Sequence, residues 1–170
     1  LPLDYREKQE WATGFDLTVP TPNGGQGDLL SYYADDDSGQ TDETERWRVS
    51  YRHRQPFGDR WDAWLELHML SDADVLEDFF RKDFQNEVQP RSFLHLQRYD
   101  PHYMINIDVY KRLNDFFGVV ERVAELSVEF PQQRIGRSPF YYEGVTSAAW
   151  LERRYPEGTR LFGKVTNIAD

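Results

Sequence analysis

Cysteine is absent from the 170 residues, so no disulfide framework, thiolate chemistry or cysteine-based zinc site exists within them. Lysine is scarce, confined to positions 8, 82, 111 and 164, and arginine carries nearly all the positive charge. That bias suits fixed cations that grip carboxylate or phosphate in forked geometry. Positive charge is nonetheless outweighed: a net charge of -10 and a pI of about 4.9 argue against nucleic acid as the main partner. No run approaches the ~20 apolar residues of a membrane helix, and the mean hydropathy is -0.78. A barrel strand escapes that test, because only every other residue faces lipid. The opening Leu1-Pro-Leu-Asp-Tyr5 has neither the basic segment nor the apolar core of a secretory leader, as expected of a mature protein or an excised piece.

Catalytic machinery is also missing from the pattern. Carboxylate pairs such as Asp62 and Glu66, or Glu125 and Glu129, lie at strand spacing, where facing carboxylates are usually solvated rather than paired for glycoside hydrolysis. His53, His68, His95 and His102 lack metal-ligand spacing. The acidic stretch Asp35 to Thr44 lacks the ligand spacing and terminal Glu of a calcium-binding hand. No glycine-rich phosphate loop precedes a helix, and no serine sits in a nucleophile elbow. The expectation is a protein that is not an enzyme and has no catalytic residue, cofactor or metal.

What is present is alternation, clearest between Glu45 and Phe80. In the first run Trp47, Val49 and Tyr51 oppose Arg46, Arg48, Ser50, Arg52 and Arg54; in the second, Trp61, Ala63, Leu65, Leu67 and Met69 oppose Asp62, Trp64, Glu66 and His68. Period-two alternation marks strands with one apolar and one polar face, and the turn at Pro56-Phe-Gly-Asp59 joins these two as a β-hairpin. Ser71 to Pro90 then breaks the alternation. Val75, Leu76, Phe79 and Phe80 form a helical stripe, with Ser71 or Asp72 placed to cap its N-terminus.

Elsewhere the chain repeats the theme. Strands are expected at Leu3 to Arg6, Trp11 to Val19 and Leu29 to Ala34, with a turn over Pro20 to Gly27. A second hairpin covers Ser92 to Tyr99 and Tyr103 to Leu113, closed by the loop Asn114 to Gly118. Glu121 to Pro131 and Phe140 to Arg153 are further strands, with Pro131 to Pro139 connecting them. Pro156 to Gly158 is a turn, and Leu161 to Ile168 begins one more strand. Tight links alternate with long polar ones, as in outer-membrane barrels.

In order and spacing, several motifs resemble the LPS-assembly outer-membrane protein family (LptD, also called OstA). They are Arg46-Trp47 leading to His53, Trp61, Ser71-Asp72 followed by Leu76-x-Asp78-Phe79, Phe93 to Tyr99, Arg112-x-Asn114-Asp115, and the Glu121 to Pro131 strand. The resemblance covers Leu1 to about Arg154. It implies an all-β fold: an antiparallel up-and-down meander forming part of a large barrel in the outer membrane of a Gram-negative cell, with a short helix in a loop. Residues 1–170 would be a partial barrel segment of early strands, without the family's N-terminal jellyroll and remaining strands. Leu1 to Val19 would lie near the lateral gap between first and last strands.

The implied partners are lipopolysaccharide, an outer-membrane lipoprotein plug and a periplasmic β-jellyroll bridge protein. The implied activity is insertion of lipopolysaccharide into the outer leaflet, with no nucleic acid and no cofactor. Arg46, Arg48, Arg52 and Arg54 become candidates for a lumen-facing row that meets the anionic head group; the alternative is that they pair with carboxylates such as Asp62 and Glu66 on the next strand. Ser71, Asp72, Asp78, Phe79, Asn114 and Asp115 are candidates for structuring the loops, with Phe79 and Phe80 packing an outer loop towards the lumen. The departure from the family is at the C-terminus, where Asn167-Ile-Ala-Asp170 lacks a terminal aromatic.

A different class of function also fits: a soluble β-rich carbohydrate-binding domain with Trp61 or Trp64 as stacking platform. The destination of the apolar faces separates the two. A barrel turns Trp47, Leu65 and Ile107 outward, whereas a soluble sandwich buries them under a second layer.

Overall fold

Alternating side chains commit each run to a strand, and short turns commit neighbouring strands to antiparallel pairing. The structure, a computed structural model, describes residues 3–6, 9–36 and 44–154. It contains β1 (Leu3–Arg6), β2 (Gln9–Thr21), β3 (Gly25–Asp35), β4 (Glu45–Phe57), β5 (Trp61–Leu70), β6 (Ser92–Asp100), β7 (Tyr103–Lys111), β8 (Val119–Arg134) and β9 (Tyr141–Arg154). Two short helices, α1 (Val75–Phe79) and α2 (Arg81–Asn86), interrupt the series between β5 and β6. The strands form one sheet in sequence order, β1 through β9, and every neighbouring pair is antiparallel. The expected all-β meander is what forms.

Among the links whose residues are all described, 22–24, 58–60, 101–102 and 135–140 lie at one end of the sheet, and the longer 71–91 and 112–118 at the other. Positive φ at Asn23 (60°), Gly24 (76°) and Gly58 (60°) closes two of the tight turns.

Strands run further than proline content predicts. Pro20 pairs with Gln26 inside β2, although a turn was expected there. At that height no described strand pairs with β2 on its other side, since β1 pairs it only between Gln9 and Thr13, so proline is tolerated as on an edge strand. Likewise β8 passes through Pro131, where a connection was expected, and reaches Arg134. A register irregularity between Phe130 and Gln133 accommodates the imino acid. The expected turn at 156–158 and strand at 161–168 lie outside the described residues, as does most of the acidic stretch 35–44.

The buried apolar cluster is small and lies at the long-link end. Leu70, Val75, Leu76 and Phe117 form it, with Phe79, Phe80, Phe84 and Phe116 packed against it. Fully burying a side chain such as Val75 or Leu76 contributes about 1.5–3 kcal/mol each, so this cluster helps to hold the insert on the sheet. It is not a core for the sheet as a whole.

Candidate functional site

Register sorts the side chains into two faces. Residues opposite one another in the ladder share a face, so Leu17, Leu29, Tyr51 and Leu67 lie in one transverse row, and Leu65, Leu94 and Val109 in another. Ile107 pairs with Leu96 and Leu126 on the same side. Much of this apolar face is open: Phe15, Leu17, Met69, Leu94 and Leu126 are exposed, and Trp150 is 73% exposed. Trp47, Leu65 and Ile107 are half-buried, and no second layer covers them among the described residues.

The opposite face carries Asp28–Arg52–Glu66 as one row and Gln26–Arg54–Trp64–His95–Asp108 as the next. Among its buried side chains are Arg46, Arg48, Ser50, His68 and Asn106. Filling is thus reversed from a soluble sandwich: the insert covers part of the polar face, while no layer covers the apolar face among the described residues.

The insert supplies the cover. Arg46 is 1% exposed and is gripped from three sides. Its Nε and Nη2 donate to Asp72 at 3.1 and 2.8 Å, and its Nη1 donates to Asp78 at 2.6 Å and Asp36 at 3.3 Å. Such forked, charge-assisted bonds are the strong ones. One strand position on, Arg48 Nη1 donates to Asp83 of α2 at 2.6 Å, and Arg48 Nε donates to Ser50 Oγ at 3.2 Å. The guanidinium of Arg46 lies 5.1 Å from the Phe79 ring centre and that of Arg48 4.5 Å from Phe80, while Tyr32 packs on both rings. Phe79 and Phe80 also pack against the buried apolar cluster.

Ser71 and Asp72 do not cap the helix. The residue at the N-cap of α1 is Asp74, without a side-chain cap bond. Trp47 N donates to Ser71 Oγ at 3.1 Å, which stitches the chain to β4, and Asp72 turns to Arg46. A buried guanidinium offers a carboxylate more than the exposed amides of a five-residue helix do. Burial alone would raise the Asp72 carboxyl, but the Arg46 and Ser71 hydrogen bonds, the Arg46 charge and the Asp74 amide outweigh it and hold it below its ordinary value.

Asn114 ties the neighbouring loop to the same end. Its Oδ1 accepts from Leu70 N at 2.9 Å and its Nδ2 donates to His68 O at 3.0 Å, satisfying the backbone where β5 leaves the sheet. Asp115 is exposed and pairs with Arg112 at 3.3 Å. All six loop-structuring candidates lie at the long-link end, where five of them bond to or pack on the wall and Asp115 stays within its own loop.

The arginine row divides in two. Arg46 and Arg48 are occupied by carboxylates of the insert and of Asp36, so the pairing alternative holds for them, with partners other than Asp62 and Glu66. Arg54 reaches Asp62 at 3.4 Å but is 59% exposed, a geometry of little energetic weight. Arg52, opposite Glu66 in the ladder, is exposed and lines two clefts of about 420 Å³ each, one beneath α2 and one towards the tight-turn end. Sequence reasoning missed Asp36, Asp83 and Tyr32. The available signal was charge balance: two arginines on one face call for acids in the insert that follows.

The chain is therefore an all-β antiparallel sheet with one polar face, partly covered by the insert, and one apolar face that no second layer covers among the described residues. Over 135 residues it is 28% identical to the LPS-assembly protein LptD of Marinobacter nauticus; the match takes in 75% of this chain and 16% of that protein. The chain thus spans 16% of the length of the curated relative it matches. No protein-family model and no solved structure matches it.

Proposed function

We propose that this chain forms part of the wall of an outer-membrane β-barrel that assembles lipopolysaccharide, acting as a transport element and not an enzyme. The observation that carries the reading is the reversed polarity of the sheet. Strands of 9 or 10 residues such as β5, β6 and β7 have the length that crosses a bilayer. Their bare apolar face suits hydrocarbon, and their polar face suits a wet lumen. The distant likeness to LptD supports the substrate class. A soluble carbohydrate-binding sandwich would need a layer over Trp47, Leu65 and Ile107, and none is present among the described residues.

In this role the insert α1–α2 partly fills the lumen near the long-link end, leaving Arg52 and Arg54 on the open part of the wall to meet phosphate or carboxylate of the passing lipid. An outer-membrane lipoprotein plug and a periplasmic β-jellyroll bridge would be the protein partners, and further strands of the same barrel would cover the edges of β1 and β9. The test is fractionation of cells expressing the intact protein, followed by gel electrophoresis with and without boiling and by depletion. Outer-membrane recovery, heat-modifiable mobility and loss of surface lipopolysaccharide on depletion are expected. A freely soluble monomer, or unchanged surface lipopolysaccharide, contradicts the reading.

A further inference from the structure

Trp64 is out of place on the wall that carries it. Other aromatic side chains on the polar face have aromatic company: Tyr32 packs on Phe79 and Phe80, and Phe93 lies 5.8 Å from Tyr110. Trp64 instead stands between Arg54 and His95, its register partners, away from the insert. The Arg54 guanidinium lies 5.4 Å from its ring centre and the His95 ring 5.2 Å away, tilted. The indole helps line the cleft towards the tight-turn end, together with Gln26, Asp28, Arg52, Arg54 and Glu66.

We propose that this cleft is a saccharide subsite, in which one sugar ring of the glycolipid lies against Trp64. A pyranose has an apolar C–H face and a rim of hydroxyls, so it calls for one aromatic plane ringed by planar groups that donate and accept. Asp28 is already oriented by Thr18 Oγ1 at 2.7 Å and by Gln26 Nε2 at 3.0 and 3.1 Å, which leaves the Gln26 carbonyl oxygen to accept. Arg52 supplies donors, and Glu66 supplies a further acceptor. Arginines 52 and 54 balance Asp28 and Glu66 in charge, so the cleft suits a neutral sugar, or one with a single anionic substituent, better than it suits a bare phosphate. Arg54 is mostly in solvent, so it can swing off the ring to admit the ligand.

This inference rests on the glycolipid-transport reading, so the experiment separates the two. The intact protein, folded in detergent micelles, is titrated calorimetrically with three probes: lipid-free phosphorylated core oligosaccharide, the same oligosaccharide dephosphorylated, and inorganic phosphate. Both oligosaccharides bind the parent and phosphate does not. Trp64→Leu weakens both oligosaccharides about tenfold or more, whereas Trp64→Phe, which keeps an aromatic face, stays within about threefold. Arg52→Gln weakens the phosphorylated form more than the dephosphorylated one. The subsite is refuted if the parent binds neither oligosaccharide, if Trp64→Leu binds as the parent does, or if phosphate alone competes equally. Heat-modifiable mobility is read on every sample. Its presence without sugar binding sinks the subsite alone, and its absence in the parent sinks the barrel reading.

Discussion

Replacing Arg46 by Met should release the insert from the wall. The substitution removes a cation that is 1% exposed and leaves Asp36, Asp72 and Asp78 facing one another, the first two largely buried. Removing one partner of a buried charge cluster costs about 3–5 kcal/mol, because the remaining charges are stranded. At 1.4 kcal/mol per decade, the open population of the insert rises by about two to three and a half orders of magnitude. Arg81 and Lys82 are exposed on α2 and give trypsin two cleavage points within the insert. Where reclosing outpaces cleavage, the cutting rate follows the open population. Arg46→Lys keeps the charge but loses the fork onto Asp72, so it should fall between parent and Met. Adding Asp72→Asn to Arg46→Met relieves part of the repulsion and should slow cleavage again. If Arg46→Met is cut at the parental rate, the insert is held by its apolar contacts alone and the electrostatic reasoning fails.

Other perturbations follow from the same geometry. Acting against burial, chiefly the Arg46 and Ser71 hydrogen bonds hold the Asp72 carboxyl below its ordinary value, so its contribution is complete above that ordinary value and is lost as pH falls through the lower folded one. Hydrogen-exchange protection of α1 should stay level from neutrality to about pH 4 and fall below it; a drop centred near pH 6 would point to a histidine instead. Asn114→Ala strands the Leu70 amide and the His68 carbonyl at about 1–3 kcal/mol per group, and Asn114→Asp should be worse, since it sets a charge against that carbonyl; thermal unfolding with near-ultraviolet dichroism ranks the two. Leu65→Arg on the greasy face should cost about 2–4 kcal/mol in urea titrations of vesicle-inserted protein, whereas Gln97→Arg on the wet face should cost little. Equal effects at the two positions would contradict the assignment of faces.

The faces were legible because alternation is local: Trp47 against Arg48, or Ile107 against Asp108, needs no knowledge of the rest of the chain. The helix in the insert was legible for the same reason, from the stripe Val75, Leu76, Phe79 and Phe80. Prolines misled where the ladder had a free side, at Pro20, or an irregular register, at Pro131, because what excludes proline is a lost partner and partners are not local. The reading of Ser71-Asp72 as a cap failed on the same ground. An Asp beside a helix start is locally a cap, and only the fold reveals a buried guanidinium 26 residues earlier. Within the arginine row the sequence offered two fates, ligand contact or carboxylate pairing. The choice for Arg46 and Arg48 depended on Asp78 and Asp83, which reach the wall only after the insert folds back.

The orientation of the two faces is tested most directly by placing single nitroxide labels on this cysteine-free chain. Leu65→Cys and Ile107→Cys would carry labels on one face, and Arg52→Cys and Gln97→Cys on the other, in the intact protein reconstituted into vesicles. Labels at 65 and 107 should be reached by oxygen dissolved in lipid and shielded from a water-soluble nickel chelate, and those at 52 and 97 should show the opposite. Labels at 65 and 107 that are accessible to the chelate, or shielded from both reagents beneath another protein layer, would contradict that orientation.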